Sequence, residues 1–212
     1  MGKISQGILG GFSGKVGTVI GGNWKGISYM RAKAVSIANP RTEAQQSQRL
    51  KFSIASRFLQ PCRDFLRAGY KNYAIKKSAH NAAMSYTITN AITGTYPALN
   101  IDYPKVMLSR GALTTAANAH ADFTGGVVDI TWDDNATLGS AKPTDKALAI
   151  VVNPDNGEAV YKIAGAKRSS CAEQLNIPMD WIGDEVEVYL GFISEDGKEV
   201  LNSVYVGSVT VS

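Results

Sequence analysis

The sequence predicts an α+β protein, with an N-terminal β-hairpin and two or three helices followed by an antiparallel immunoglobulin-like or fibronectin-like β-sandwich. Three observations carry that prediction. Nine of the 21 glycines fall within the first 26 residues, apolar residues recur at helical spacing from Leu50 to Ile92, and beyond Val106 the period drops to two. The 44% hydrophobic and 19% charged composition, with a net charge of only +4, excludes a disordered chain, and no apolar run approaches the roughly 20 residues that span a bilayer.

The glycine-dense start cannot be helical. Within it, Lys15–Ile20 and Gly26–Ala32 alternate as strands do, and Gly-Gly-Asn-Trp-Lys between them reads as a turn. Asn39-Pro40-Arg41-Thr42 then announces a helix: proline keeps Asn39 out of helical geometry, Thr42 is a capping residue, and Glu43 suits the positive end of the helix dipole. Leu50, Phe52, Ile54, Phe58 and Leu59 sustain it until Pro61 interrupts. Arg63–Ala68 resumes the pattern as far as Gly69, and residues 78–92 form a third helical stretch that stops at Gly94. The strands expected next are 127–132, 147–152, 159–163, 186–193 and 203–211, parted by turns such as Asp155-Asn156-Gly157 and Glu195-Asp196-Gly197. Trp132 and Tyr189 are the expected core aromatics.

Charge is distributed unevenly along the chain. Residues 1–105 carry 15 Lys and Arg against 3 Asp and Glu, a net +12, whereas residues 106–212 carry 7 against 15, a net −8. With Pro97 and Pro104 beside the swing, three regions are expected: a glycine-rich arm and hairpin (1–36), a basic helical segment (37–104) and an acidic sandwich (105–212).

The tests for catalytic chemistry fail one after another. Gly14-Lys15 lacks both the earlier glycine and the following Ser or Thr of a phosphate-binding loop, and Gly11-Phe12-Ser13-Gly14-Lys15 ends in lysine where a nucleophile elbow needs glycine. His80 and His120 have no partner at metal-ligand spacing, and Asp129, Asp133 and Asp134 read as a solvated turn before they read as a calcium loop. Cys62 and Cys171, 109 positions apart, are expected to be two buried thiols. Gln6 breaks the myristoylation pattern, and the start lacks the apolar core of a secretion signal, so cytoplasmic synthesis is expected. No enzyme activity, cofactor, metal, membrane contact or small-molecule substrate is expected.

What remains is interaction. The candidate contact residues are Trp24, Lys25, Arg31, Arg41, Gln46, Arg49, Arg57 and Arg63, drawn from the hairpin and the basic helices. Such a surface suits an acidic protein partner, including the acidic half of another copy in a homo-oligomer or larger assembly, and nucleic-acid binding is the alternative.

Two segments, 14–31 and Asn39–Phe52, together resemble an uncharacterised family of similar length from Bacteroidota genomes and their prophages. The Asn-Pro-Arg-Thr-x-x-Gln-x-x-x-Arg-x-x-Phe pattern from Asn39 to Phe52 also resembles one near the start of phage structural proteins. The resemblance implies a virion or assembly role and assigns no function to any individual residue.

Overall fold

The computed structural model describes residues 2–4, 10–24, 26–36, 39 and 41–212. The chain forms two units, Met1–Thr42 and Glu43–Ser212.

The first unit is a four-stranded antiparallel sheet in the order β1-β2-β3-β4, built from β1 (Lys3–Ile4), β2 (Phe12–Val16), β3 (Val19–Trp24) and β4 (Ile27–Ala32). The expected single hairpin is therefore two. Gly-Gly-Asn-Trp is not a turn but the body of β3, and the turns fall at Gly17 and Gly26, both at positive φ. Glycine serves packing at Gly21, where an added Cβ would lie 2.3 Å from the Phe12 carbonyl oxygen. Gly21 is also the sole buried residue among the described residues of this unit.

The second unit is layered. Its helices are α1 (Glu43–Leu59), α2 (Arg63–Gly69) and α3 (Ala79–Asn90), and its strands are β5 (Ile92–Thr95), β6 (Ala98–Ile101), β7 (Ala117–Thr124), β8 (Val127–Asp133), β9 (Lys146–Asn153), β10 (Glu158–Lys162), β11 (Ala172–Asn176), β12 (Glu185–Ile193) and β13 (Val204–Thr210). The α+β class is thus observed. β5 and β6 make a small hairpin, and the other seven strands form two antiparallel sheets, β10-β9-β12-β13 and β11-β8-β7.

Alternation along β9 and β12 explains how the layers join. Leu148, Ile150, Val152, Tyr189 and Ile193 face a core shared with Phe58, Leu59, Phe65 and Leu66 of the helices. Their neighbours Val151, Val186, Val188 and Phe192 face Val128, Ile130, Trp132 and Leu175 of the other sheet. The four-stranded sheet is consequently the middle of three layers. This moves the expected division at 104/105: the helical segment and the strands after it share one core, and the chain divides at 42/43 instead.

Local signals set the helix ends. α1 starts directly after Thr42, Pro61 separates α1 from α2, and Ser78 Oγ accepts the Asn81 N–H at 3.1 Å to cap α3. The third helix is shorter than expected, because Ile92–Thr95 pairs with Ala98–Ile101 as a strand and Gly94 sits at φ +91° inside that hairpin. Trp132 and Tyr189 are core residues: Trp132 meets Phe192 edge-on at 5.3 Å, and Tyr189 Oη donates to the Tyr103 carbonyl at 3.0 Å. No helix among the described residues is long and apolar enough to cross a membrane.

Candidate interaction surface

The expected contact residues divide between the two units and form no single constellation. Trp24 and Arg31 lie on the N-terminal sheet, where Trp24 pairs across the strands with Ile27 and Arg31 with Ile20. Lys25 lies outside the described residues. Arg41 is exposed with φ +51° ahead of α1.

On α1, Gln46 Oε1 accepts the Tyr96 hydroxyl at 2.6 Å, which ties the helix to the β5–β6 hairpin. Arg49 is exposed on the same helix. Arg57 donates to the Asp155 carbonyl at 3.1 Å, and Arg63 donates to Gln60 Oε1 at 3.3 Å. Two of the helix arginines therefore do local structural work, Arg57 joining α1 to the β9–β10 turn. An open groove of about 580 Å³ runs past Arg57 between Phe52, Ser53 and Asn156.

The N-terminal sheet has a different character. All six residues of β4 are exposed, Ile27 at 67%, Met30 at 70% and Tyr29 among them, and Trp24 of β3 is exposed beside them. Three or more strands normally need a covered apolar face to be stable in water. This sheet has its apolar side chains and shows no core of its own among the described residues.

At the end of the second unit where β7 turns into β8, Phe123, Ile177, Pro178, Met179, Ile182 and Val211 line an apolar cavity of about 300 Å³. The sequence does not reveal this feature, because its lining comes from three separate stretches, 123–126, 177–182 and 211–212, that only the fold brings together.

The titratable groups are held structurally. Burial works to raise the Glu173 carboxyl, but Lys162 Nζ at 2.8 Å and the N–H groups of Ala166 and Gln174 hold it below the ordinary range. Burial pushes Glu187 upward, although Tyr205 Oη donates to it at 2.7 Å. A raised carboxyl stabilises fully below its unfolded pKa and loses that contribution as pH rises through the folded value. Glu187→Gln is therefore expected to be more stable than the parent at pH 8 and equal to it at pH 4, read from urea midpoints at the two pH values.

Cys62 is buried, its thiol pushed up to about 12 by desolvation, whereas Cys171 is only half-buried, in a left-handed conformation (φ 56°); both are free thiols. The expectation of two buried thiols holds for Cys62 alone, because Cys171 closes a surface turn at the start of β11. His80, near the start of α3, is held below its usual pKa by burial and then by Arg63, and His120 is exposed beside Asp122 at 3.1 Å. Asp129 and Asp133 accept side-chain amides from Gln174 and Asn118, and Asp134 accepts the Ala136 N–H. Among the described residues no three His, Cys, Asp or Glu side chains gather as a metal site.

No curated protein and no solved structure matches the chain. A family model does match, over residues 11–207, which takes in β2 to β4 of the first unit and nearly all of the second. The chain belongs to that family, DUF6266, a family of unknown function.

Proposed function

We propose that the protein is a non-enzymatic structural or assembly component, phage or prophage encoded and carried in a virion, that works through protein–protein contacts of its N-terminal sheet. The observation that supports this reading is the exposed apolar set Trp24, Ile27, Tyr29 and Met30 on a sheet whose only buried described residue is Gly21. Covering apolar surface gains about 25 cal/mol per Å², so a partner laid on these side chains would cover apolar surface that the described residues leave open.

The second unit is then the displayed or packed body, an immunoglobulin-like or fibronectin-like module with helices on one face. In chain order its seven strands divide as 5-2-1 and 4-3-6-7. The antibody constant layout differs only in placing the fourth strand beside the fifth. Trp132 lies on the second strand, and the inter-sheet disulfide of antibody domains has no counterpart, since both cysteines are free.

Light scattering behind size exclusion tests the assembly reading, with nucleic-acid absorbance recorded on the same peaks. The expected result is a nucleic-acid-free mass that rises in multiples of the chain with concentration and falls at high salt. A monomer at every concentration overturns the reading, and a monomer carrying salt-removable nucleic acid replaces it with nucleic-acid binding through the basic helices.

A further inference from the structure

We propose that the partner of the N-terminal sheet is the cavity-bearing end of the second unit of another copy, so that copies associate head to tail. The inference rests on the assembly reading above and names the two surfaces that meet.

The receiving surface follows from topology. The β7–β8 turn, the β9–β10 turn, the β11–β12 connection and the last residue of β13 lie at one end of the two sheets. The register puts Asn176 beside Val127, Glu158 beside Asn153 and Glu185 beside Thr210. Two hydrogen bonds close that end, Ile177 N–H to the Gly126 carbonyl and Trp181 Nε1 to Glu158. The segments concerned, 124–127, 153–158, 177–185 and 210–212, contain Asp155, Glu158, Asp180, Asp184 and Glu185 and not one Lys or Arg. Among the described residues none of these five carboxylates is in an ion pair; Asp184 accepts Asn153 and Asn156, and Glu185 accepts Ser208. Arg57 reaches this end from the helix side and donates to the Asp155 carbonyl. Lys142, Lys146, Lys162, Lys167 and Lys198 all belong to the opposite end.

The acidic rim surrounds an apolar centre. Met179 is 87% exposed and Ile182 64% exposed at the mouth of the 300 Å³ cavity. Exposed apolar surface ringed by charge is the usual anatomy of a protein contact.

The inserting surface is its complement in both respects. Residues 1–42 contain Lys3, Lys15, Lys25, Arg31, Lys33 and Arg41 and no Asp or Glu. At the tip of the β3–β4 hairpin the cross-strand pair Trp24 and Ile27 is exposed, and Gly26 N–H donates to Asn23 Oδ1 at 3.0 Å to shape the turn. A cationic sheet with an apolar tip thus meets an anionic end with an apolar hole. Because the two surfaces are different, the contact is heterologous and each copy keeps one of each free for the next.

Full-length chains carrying Ile27→Glu (tip disabled) and Met179→Glu (end disabled) test this by light scattering. Both positions are exposed, and each variant is checked for folding by circular dichroism. Each variant alone is expected to be monomeric, while an equimolar mixture forms a dimer and nothing larger, since only one intact tip and one intact end remain. Asp180→Lys is expected to raise the dissociation constant about tenfold or more and to flatten its salt dependence. If the Met179→Glu and Asp180→Lys chains assemble like the parent, the head-to-tail surface is wrong while the assembly reading stands. A parent chain that is monomeric throughout overturns both. A mixture that stays monomeric overturns this proposal alone, because a contact between identical surfaces cannot be rescued by mixing.

Discussion

Asp145→Ala is expected to lower stability by about 3–5 kcal/mol, the cost of stranding a buried guanidinium without its counter-charge. Arg168 and Asp145 are both fully buried, with nitrogen and carboxylate oxygen 3.6 Å apart. The guanidinium sits 4.2 Å over the Phe192 ring and donates to the Thr114 carbonyl. Its backbone is tied in as well, with Arg168 N–H on the Asp145 carbonyl at 2.7 Å and the Arg168 carbonyl accepting Trp132 Nε1 at 2.8 Å. Desolvation disfavours the cation, and the Asp145 charge, foremost, and that of Asp134 oppose this. Removing Asp145 leaves the desolvation opposed only by the weaker Asp134 charge. Urea unfolding followed by tryptophan emission measures the loss as a lower midpoint at unchanged slope. The double variant Asp145→Leu with Arg168→Met is expected to lose less than Asp145→Ala alone, because no charge is then stranded. A loss below about 1 kcal/mol for Asp145→Ala would mean that the pair is not desolvated and would remove it from the core.

Phe65→Ala is expected to cost about 3–5 kcal/mol as well, and to do so across the whole second unit. Phe65 is completely buried in α2 and meets Tyr161 of β10 edge-on at 6.1 Å, so its ring belongs to the helices and the middle sheet together. Helical dichroism reports α1 to α3, while emission in a Trp24→Phe background reports Trp132 and Trp181 in the core between the sheets. Both probes are expected to shift to the same lower midpoint. Two separated transitions, with only the helical one moved, would show that residues 43–104 fold apart from the strands and would restore the division at 104/105.

That division illustrates where the sequence misleads. The charge swing at Val106 is real, but charge is a property of surfaces, and the side chains that decide the boundary are the buried apolar ones of α1 and α2, whose partners Leu148, Ile150 and Tyr189 lie far along the chain. Strong periodicity was legible where a strand is buried on one or both faces, as in β8, β9 and β12. β7 and β11 were not, since Ala-Asn-Ala-His-Ala-Asp-Phe-Thr is short of large apolar residues and Ala-Glu-Gln-Leu-Asn buries only Glu173 and Leu175. β5 reads in the sequence as the end of the helix before it, because Gly94 serves equally well as a helix stop and as a hairpin residue. Of the contact residues, Trp24 and Arg31 are exposed, while Gln46, Arg57 and Arg63 make hydrogen bonds within the second unit, which a sequence pattern does not encode. Arg168 left no trace in the pattern at all, for a lone arginine in a loop is ordinarily solvated.

The shared helix–sheet core also fixes an order of events during synthesis. α1 and α2 are complete by residue 69, yet Tyr189 and Val200, against which they pack, are added more than a hundred residues later. At about 5–20 residues per second the ribosome leaves Phe58, Leu59, Phe65 and Leu66 uncovered for roughly 6–25 s. Over that interval the nascent chain presents greasy, positively charged helices to the cell, a form that chaperones hold and that aggregation consumes.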